Sequence, residues 1–397
     1  MWYTTFKVGK CMSALIFPIE PTILKLARKT SGYPLEEVSV KTKIKLDQLK
    51  LYEEEKSKIP FSQIDKLAAL YKRPLAFFLL DKIPEDVELP KDFRYVFAAD
   101  YLADFSPKAY LAIRRARYAQ AIINELKEDE FNYKFPIATL NDDPEVIADK
   151  FRDYIKINFD QQKKWSSPSE ALKNWKIALE NISIFVMQFS LPQDNVSAFC
   201  LADASPFVII INSSEHEYRR IFSLFHEVGH ILLRKSGICT PDDLSRNSYE
   251  YAQIEMFCNK FAGALLLPKT EFIASFKNSK LFGIDSKLWE YDDIKEVSNR
   301  FRVSKEAFLR RLLTLSYIDE DLYKAWRKNW QKSEKEFVKP KKKIIIPQYI
   351  KCISQNGHAF TTLVLNQYHN NRIGFNNAAD ILNIAPKHIS ALEYKIW

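Results

Sequence analysis

The segment that decides how this chain is interpreted reads Phe225-His226-Glu227-Val228-Gly229-His230-Ile231-Leu232-Leu233. The sequence around it predicts a helix, on which residues four apart lie about 40° apart around the axis and one turn apart along it. His226 and His230 can therefore bind one metal ion, and Glu227 is placed to act as a general base. The chain has only six histidines, but chance can still produce this spacing, so the motif needs support from elsewhere.

Length and composition set the broad class of protein. A chain of 397 residues can bury more than one core, which favours two or three domains. Hydrophobic residues make up 47% of the sequence and there are only eight glycines, as is typical of helix-rich globular proteins. No apolar run is long enough to span a membrane, and the apolar patch at residues 12–17 is too short for a secretory signal. We therefore predict a cytoplasmic protein with no membrane partner.

The cysteines and the net charge narrow the class further. The five cysteines are far apart, odd in number and without a C-x-x-C pair, which favours reduced thiols over disulfides or a thiolate zinc site. The net charge of +9 is concentrated at residues 41–50 and 324–343. This distribution is a mild indication of nucleic-acid binding, although a solvated basic surface explains it equally well.

The first 80 residues predict a compact set of short helices with tight turns. Pro21, Pro34, Pro60 and Pro74 each begin a predicted helix, and a helix-turn-helix unit is one arrangement of such helices. The order of residues resembles the phage-repressor (Xre-type) helix-turn-helix family. The matching pieces are Gly32-Tyr33-Pro34-Leu35-Glu36-Glu37, Tyr52-Glu53, Pro60 and Leu67-Ala68-Ala69-Leu70-Tyr71-Lys72-Arg73-Pro74-Leu75.

That resemblance implies a recognition helix that presents Asp47, Gln48 and Lys50. Gln48 would read adenine, and Lys50 would contact phosphate or guanine of duplex DNA. Two departures count against this role: Glu55 stands where the family usually has glycine, and the acidic run at residues 53–55 comes close to the expected phosphate position. The alternative is a helical module that contacts protein.

The middle of the chain changes from helical to strand-forming sequence just before the histidine motif. Residues 182–189 and 207–212 are rich in β-branched and aromatic residues, which predicts strands of a small sheet. Ser213 and Ser214 are then expected to cap the approach to the motif helix. The predicted fold class is therefore α+β, predominantly helical.

A catalytic zinc site needs a third protein ligand and an open position. The candidates downstream of the motif are Asp242, Asp243, Glu250 and Glu255. Glu255 is favoured because the helix predicted at residues 251–266 surrounds it with small and apolar residues, and a buried carboxylate needs a partner charge. The alternative is an acid at an exposed helix start.

At this point the chain resembles the ImmA/IrrE family of metallopeptidases. The resemblance rests on His226-Glu227-Val228-Gly229-His230 and on Glu255-Met256-Phe257-Cys258-Asn259-Lys260-Phe261-Ala262-Gly263-Ala264-Leu265-Leu266-Leu267-Pro268. Cys258 replaces the family's usual alanine. The resemblance implies a zincin-like fold in which His226, His230 and Glu255 hold Zn²⁺ and Glu227 is the general base. It also implies a protein substrate, typically a helix-turn-helix repressor of a mobile element or a stress response.

Zinc peptidases can hold an extended substrate as an added strand at a sheet edge. The segment at residues 207–212 or the one at residues 198–201 is a candidate for that edge. The alternative for either segment is an ordinary buried strand.

These observations divide the chain into four parts. Residues 1–80 are predicted to form the helix-turn-helix domain, 81–135 a linker and connecting helix, 136–338 the zinc metallopeptidase domain, and 339–397 a helical C-terminal region. That region is either a second helix-turn-helix-like unit, with Lys387 and His388 near its second helix, or a tail that packs on the peptidase domain or on a partner.

Two functions fit the sequence. The first is a zinc endopeptidase that regulates transcription by cutting a repressor. The alternative is a non-catalytic DNA-binding regulator or antitoxin whose metal site is structural or vestigial. Glu227 favours the enzyme, because a structural zinc needs no general base.

Overall fold

The computed structural model describes residues 15–55, 57–82, 106–126, 135–191, 196–203, 205–234, 237–239, 249–336 and 346–397. Asp242 and Asp243, and residues 83–105 and 127–134 of the predicted linker and connecting helix, lie outside these ranges. The chain divides into two compact units, residues 1–115 and 116–397. The described residues are mostly helical, as the sequence predicts, and they form two small sheets, of which the sequence predicted one. Among them, no helix combines the length and the apolar composition needed to cross a bilayer.

The first unit is a bundle of short helices with a two-stranded antiparallel sheet. Its elements are β1 (Ile16–Ile19), α1 (Pro21–Lys29), α2 (Leu35–Thr42), α3 (Leu46–Glu54), β2 (Ser57–Pro60), α4 (Phe61–Tyr71), a 3-10 segment (Leu75–Leu79) and the first part of α5 (Pro107–Leu126). The apolar positions at helical spacing, such as Val38, Leu49 and Leu67, form its buried core. The β1–β2 pair was not predicted, because two four-residue segments that each contain proline carry little strand signal.

The three glutamates at residues 53–55 are not all exposed. Glu53 is buried and forms an ion pair with Arg28, with 2.6 Å between Arg28 Nε and Glu53 Oε1. The hydrogen bond to Glu53 raises the pKa of Arg28. Only Glu54 and Glu55 remain exposed. The charge that counts against DNA binding is therefore smaller than the sequence indicates.

The second unit is built around a four-stranded mixed sheet. Its strands are β3 (Ile184–Phe189), β4 (Ala198–Leu201), β5 (Phe207–Asn212) and β6 (Gly237–Cys239), in the order β3-β5-β4-β6. β3 and β5 are parallel, and the other two pairs are antiparallel.

Of the two alternatives for β4 and β5, a substrate-binding edge and an ordinary buried strand, the structure shows the buried strand. β5 lies between β3 and β4, and β4 lies between β5 and β6. All residues of both strands are buried, as is typical of interior strands with a continuous apolar run. The two outer strands of this sheet are β3 and β6.

Helices make up most of the rest of the described part of the second unit, and one of them carries the histidine motif. After the rest of α5 they are α6 (Pro144–Ile155), α7 (Phe159–Lys164), α8 (Pro168–Glu180), α9 (Glu217–Leu232), α10 (Tyr249–Leu266), α11 (Lys269–Lys277), α12 (Tyr291–Arg300), α13 (Lys305–Thr314), α14 (Glu320–Glu336), α15 (Gln348–Asn356), α16 (His358–His369), α17 (Phe375–Leu382) and α18 (Ile389–Ile396). One core extends from Phe135 to Tyr323 in sequence and includes apolar residues of α9 and α10.

The motif helix α9 begins later than the two serines that were expected to cap it. Its N-cap is His216, whose Nδ1 accepts a hydrogen bond from the Tyr218 amide at 3.3 Å. The Ser214 amide instead donates to Asn212 Oδ1 at 3.0 Å, which closes a turn after β5. The side chain of Asn212 competes for that amide, so the serines stay outside the helix.

The C-terminal helices pack on the outer strand β3. The Gln188 amide group donates to the Ser354 carbonyl at 3.2 Å, and the Ala359 amide at the start of α16 donates to Glu180 Oε2 at 3.1 Å. Gly357 joins α15 to α16 with φ +83°, and a Cβ there would lie 2.6 Å from the Val186 carbonyl oxygen. Glycine is therefore required at this contact. The C-terminal helices therefore pack on the part of the domain that precedes them.

The helices α9 and α10 approach each other closely at Gly229. A Cβ added there would lie 3.0 Å from both Cα and Sγ of Cys258. A side chain at position 229 would therefore push α10 away from α9, and with it the residues that face the histidines. The absence of a side chain sets the separation of the two helices.

Replacement of Gly229 by alanine is expected to destabilise the protein, because overpacking costs about 1–3 kcal/mol and the clash involves backbone. Gly263 on α10 provides the matched control, since nothing lies within 4 Å of its added Cβ. Gly263→Ala is expected to stabilise by about 0.5–1 kcal/mol through helix propensity. Urea unfolding of both variants measures the difference. If the two substitutions change the unfolding free energy equally, the close approach of α9 and α10 does not exclude a side chain at position 229.

Candidate metal centre

Two adjacent helices bring three donor groups together in the core of the second unit. His226 Nε2 lies 3.2 Å from His230 Nε2, as the spacing on α9 predicts. Glu255 on α10 completes a triangle, with Oε2 3.1 Å from His226 Nε2 and Oε1 3.2 Å from His230 Nε2. The exposed fractions of the three residues are 6% for His226, 1% for His230 and 2% for Glu255. The triangle is therefore shielded from water.

The dimensions of this triangle fit a zinc ion. Nitrogen and oxygen ligands lie about 2.0–2.1 Å from zinc, so the ligands of a tetrahedral site are about 3.3 Å apart. The three observed separations are close to that value. A cation placed among these atoms can accept one lone pair from each imidazole nitrogen and from a carboxylate oxygen.

The surroundings of Glu255 lower its pKa and so favour the charged carboxylate. Burial by itself would raise the pKa of Glu255, but hydrogen bonds and charge interactions with His226 and His230 lower it below the usual range. The carboxylate therefore stays ionised despite its burial, as a metal ligand must be.

Glu227 is fully buried next to the first histidine. A buried carboxylate at this position costs free energy unless charged or hydrogen-bonding groups stabilise it. It follows His226 on α9, and its charge raises the pKa of the Cys258 thiol, so it lies near the donor groups. It is the candidate general base.

Cys258 is a fourth residue of this cluster and was not predicted as a donor. A ligand atom of Cys258 lies within 4.8 Å of ligand atoms of both histidines, and the residue is fully buried. Burial raises the pKa of the thiol, and the charge of His230 opposes this. The signal was available in the sequence, because Cys258 follows Glu255 by three residues on one helix face. Glu255 Oε2 and Oε1 lie 3.1 and 3.2 Å from the two Nε2 atoms, close to the ligand separations of a tetrahedral zinc site, so the carboxylate is the better third ligand.

Other predicted site residues lie elsewhere. Glu250 is exposed at the start of α10. Gln48 and Lys50 are on α3 of the first unit, where Lys50 is exposed. Gln48 is half-buried and its Nε2 donates to Tyr52 Oη at 2.5 Å. A contact between Gln48 and a base would therefore have to replace an existing hydrogen bond.

The second unit is an α+β domain with two buried imidazoles and a carboxylate on neighbouring helices, a donor set that a metal ion can bind. Residues 179–313 match the family described as IrrE N-terminal-like domain, Peptidase_M78. The match runs from the end of α8 to α13 and includes the sheet and both helices of the triangle. It supports a metallopeptidase-like domain, and the family implies a bound metal. No curated protein with significant similarity to the chain was found.

Proposed function

We propose that this protein is a zinc-dependent endopeptidase that regulates transcription by site-specific cleavage of a partner protein, a helix-turn-helix repressor. The observation that carries the proposal is the buried triangle of His226, His230 and Glu255 beside Glu227. The match of residues 179–313 to a peptidase family supports it.

His226, His230 and Glu255 would hold the zinc ion through Nε2, Nε2 and the carboxylate. Zinc in such a site lowers the pKa of a bound water and polarises a carbonyl group. The Glu227 carboxylate accepts the proton of the attacking water and then donates it to the nitrogen of the leaving amine. Burial of Glu227 keeps bulk water away from this proton transfer and strengthens its interactions with charge.

The first unit would direct the peptidase to duplex DNA or to its protein substrate. α2 and α3 are joined by a tight turn at Lys43, which has φ 60° and ends α2. Lys50 is exposed on α3 together with Asp47, the face that the helix-turn-helix resemblance assigns to recognition. The inward turn of Glu53 toward Arg28 removes one negative charge from the neighbourhood of that face.

The second candidate function is a non-catalytic DNA-binding regulator or antitoxin. The position of Cys258 favours this regulator, because the thiol could be a fourth protein ligand of the metal. Structural zinc sites have four protein ligands and no open position. Glu227 favours the enzyme, since a closed structural site has no use for a buried base.

Co-expression with the repressor encoded beside this protein tests the proposal. We expect one discrete repressor fragment, whose mass identifies a single cleavage site, and loss of the fragment when a chelator removes the metal. Purified protein should contain about one zinc per chain. Intact repressor in the presence of zinc-loaded protein would favour the non-catalytic regulator.

DNA binding by the first unit makes a separate prediction. Lys50→Ala is expected to weaken duplex binding and to lower the slope of log affinity against log salt by about one. Lys66 is an exposed lysine on α4 and serves as the control. Affinity measured across a salt series tests this. A flat salt response of the native protein would instead indicate a protein-contact module.

A further inference from the structure

A chain of polar contacts lies behind His226, on the side of the ring away from Glu255. The second ring nitrogen, Nδ1, is 3.2 Å from Oδ1 of Asn259. The same oxygen accepts a hydrogen bond from Nη1 of Arg310 at 3.0 Å. His226, Asn259 and Arg310 come from three different helices, α9, α10 and α13. Neither Asn259 nor Arg310 contributes a donor to the triangle.

The chemistry of these groups determines the orientation of each. A guanidinium group has only hydrogen-bond donors, so the amide atom that faces Arg310 must be the oxygen of Asn259. That oxygen only accepts, so the His226 nitrogen facing it, Nδ1, must carry a hydrogen. In a neutral imidazole the other nitrogen, Nε2, then has a free lone pair. Nε2 is the atom that faces His230 and Glu255.

We infer that Asn259 and Arg310 are positioning residues for the metal centre: Arg310 orients the Asn259 amide, and the amide selects the His226 tautomer that can bind a metal through Nε2. This inference rests on the proposed metal site. Hydrogen bonds to the second nitrogen of a ligand histidine orient the ring and raise its basicity. Without Arg310, the Asn259 amide could turn its NH₂ group to His226 and favour the wrong tautomer.

Arg310 is in turn held by a helix beyond the matched family region. Its Nε lies 3.4 Å from the hydroxyl oxygen of Tyr323 on α14. The guanidinium group also lies 5.9 Å from the ring centre of Phe222 and 6.0 Å from that of Tyr323. Tyr323 is buried, and it follows the end of the family match at residue 313. A part of the chain outside the match therefore helps to orient a ligand of the metal centre.

Zinc affinity of the full chain tests the inference, measured by competition with a chromophoric chelator. Arg310→Ala and Asn259→Leu are each expected to weaken zinc binding about 10- to 100-fold. Asn259→Asp is expected to stay within about threefold of the native protein, because both carboxylate oxygens accept hydrogen bonds. Arg300→Ala, which removes an exposed arginine of α12, is the control and should change nothing.

The decisive measurement is Arg310→Ala in the Asn259→Asp background. Both oxygens of an aspartate accept hydrogen bonds, so residue 259 then needs no partner to orient it. In this background, Arg310→Ala should change zinc affinity by less than about threefold. Equal losses in both backgrounds would overturn the inference, and so would native affinity in Arg310→Ala and Asn259→Leu. Failure of the native protein to bind zinc would refute the proposed function instead. Unfolding of the metal-free variants shows whether a loss of zinc affinity comes from a change at the metal centre or from a destabilised fold.

Discussion

Glu227→Gln is expected to abolish cleavage of the partner protein while zinc binding is retained. Glutamine has nearly the same shape as glutamate and fits the same buried position, but its amide cannot accept the proton of the attacking water. General base catalysis contributes about 10²- to 10⁴-fold to such reactions, so cleavage should fall by at least that range. The rate of repressor fragment formation and the zinc content of the purified variant are the two measurements.

A glutamate on the same helix provides the control for this substitution. Glu217 in the first turn of α9 forms an ion pair with Arg220, with 2.8 Å between Glu217 Oε1 and Arg220 Nη2, and Glu217→Gln should leave cleavage close to the native rate. Equal cleavage by Glu227→Gln and the native protein would eliminate Glu227 as the base. Loss of zinc in Glu227→Gln would show that this carboxylate holds the metal centre together and would leave its role in proton transfer unsupported.

Glu255→Ala is expected to lose zinc, whereas Cys258→Ala is expected to retain it. The two residues lie three positions apart on one face of α10, and both are buried beside the histidines. Removal of Glu255 leaves two neutral nitrogens and no negative ligand, so the bound metal should fall from about one per chain to a trace. Removal of the thiol leaves the triangle of 3.1–3.2 Å separations intact. Metal analysis after dialysis distinguishes the two variants.

Replacement of zinc by cobalt tests independently whether Cys258 is a metal ligand. A thiolate bound to Co²⁺ produces strong charge-transfer absorption in the near ultraviolet, and a carboxylate does not. We expect the native protein and Cys258→Ala to give the same cobalt spectrum. A thiolate band that disappears in Cys258→Ala would identify Cys258 as a ligand and would favour the closed structural site of the second candidate function.

Helical periodicity made the histidine site predictable, because it is a local property of the chain. Residues four apart on a helix lie on one face whatever surrounds them, so the pairing of His226 with His230 follows from the motif. The burial of Glu255 follows from its spacing to small residues on α10. The strand at residues 207–212 was likewise recognisable from its β-branched residues.

The neighbours of each element were not predictable in the same way. The sequence indicates that residues 207–212 form a strand, but it does not indicate which strands flank it. Neither candidate for the substrate edge is an edge strand, because β5 pairs with β3 and β4, and the short strand β6 pairs with the other side of β4. Sheet order depends on contacts between segments far apart in the chain, which no local pattern encodes.

The sequence by itself thus determined the two histidines, the glutamate between them and the strand that precedes their helix, since all of these depend on residues within a few positions of one another. Only the tertiary structure decided what surrounds them. It brought Cys258 against Gly229, turned Glu53 inward to Arg28, and placed Asn259 and Arg310 behind His226. The physical reason is that hydrogen bonds and close packing between different helices require particular distances, which are set when the core is packed.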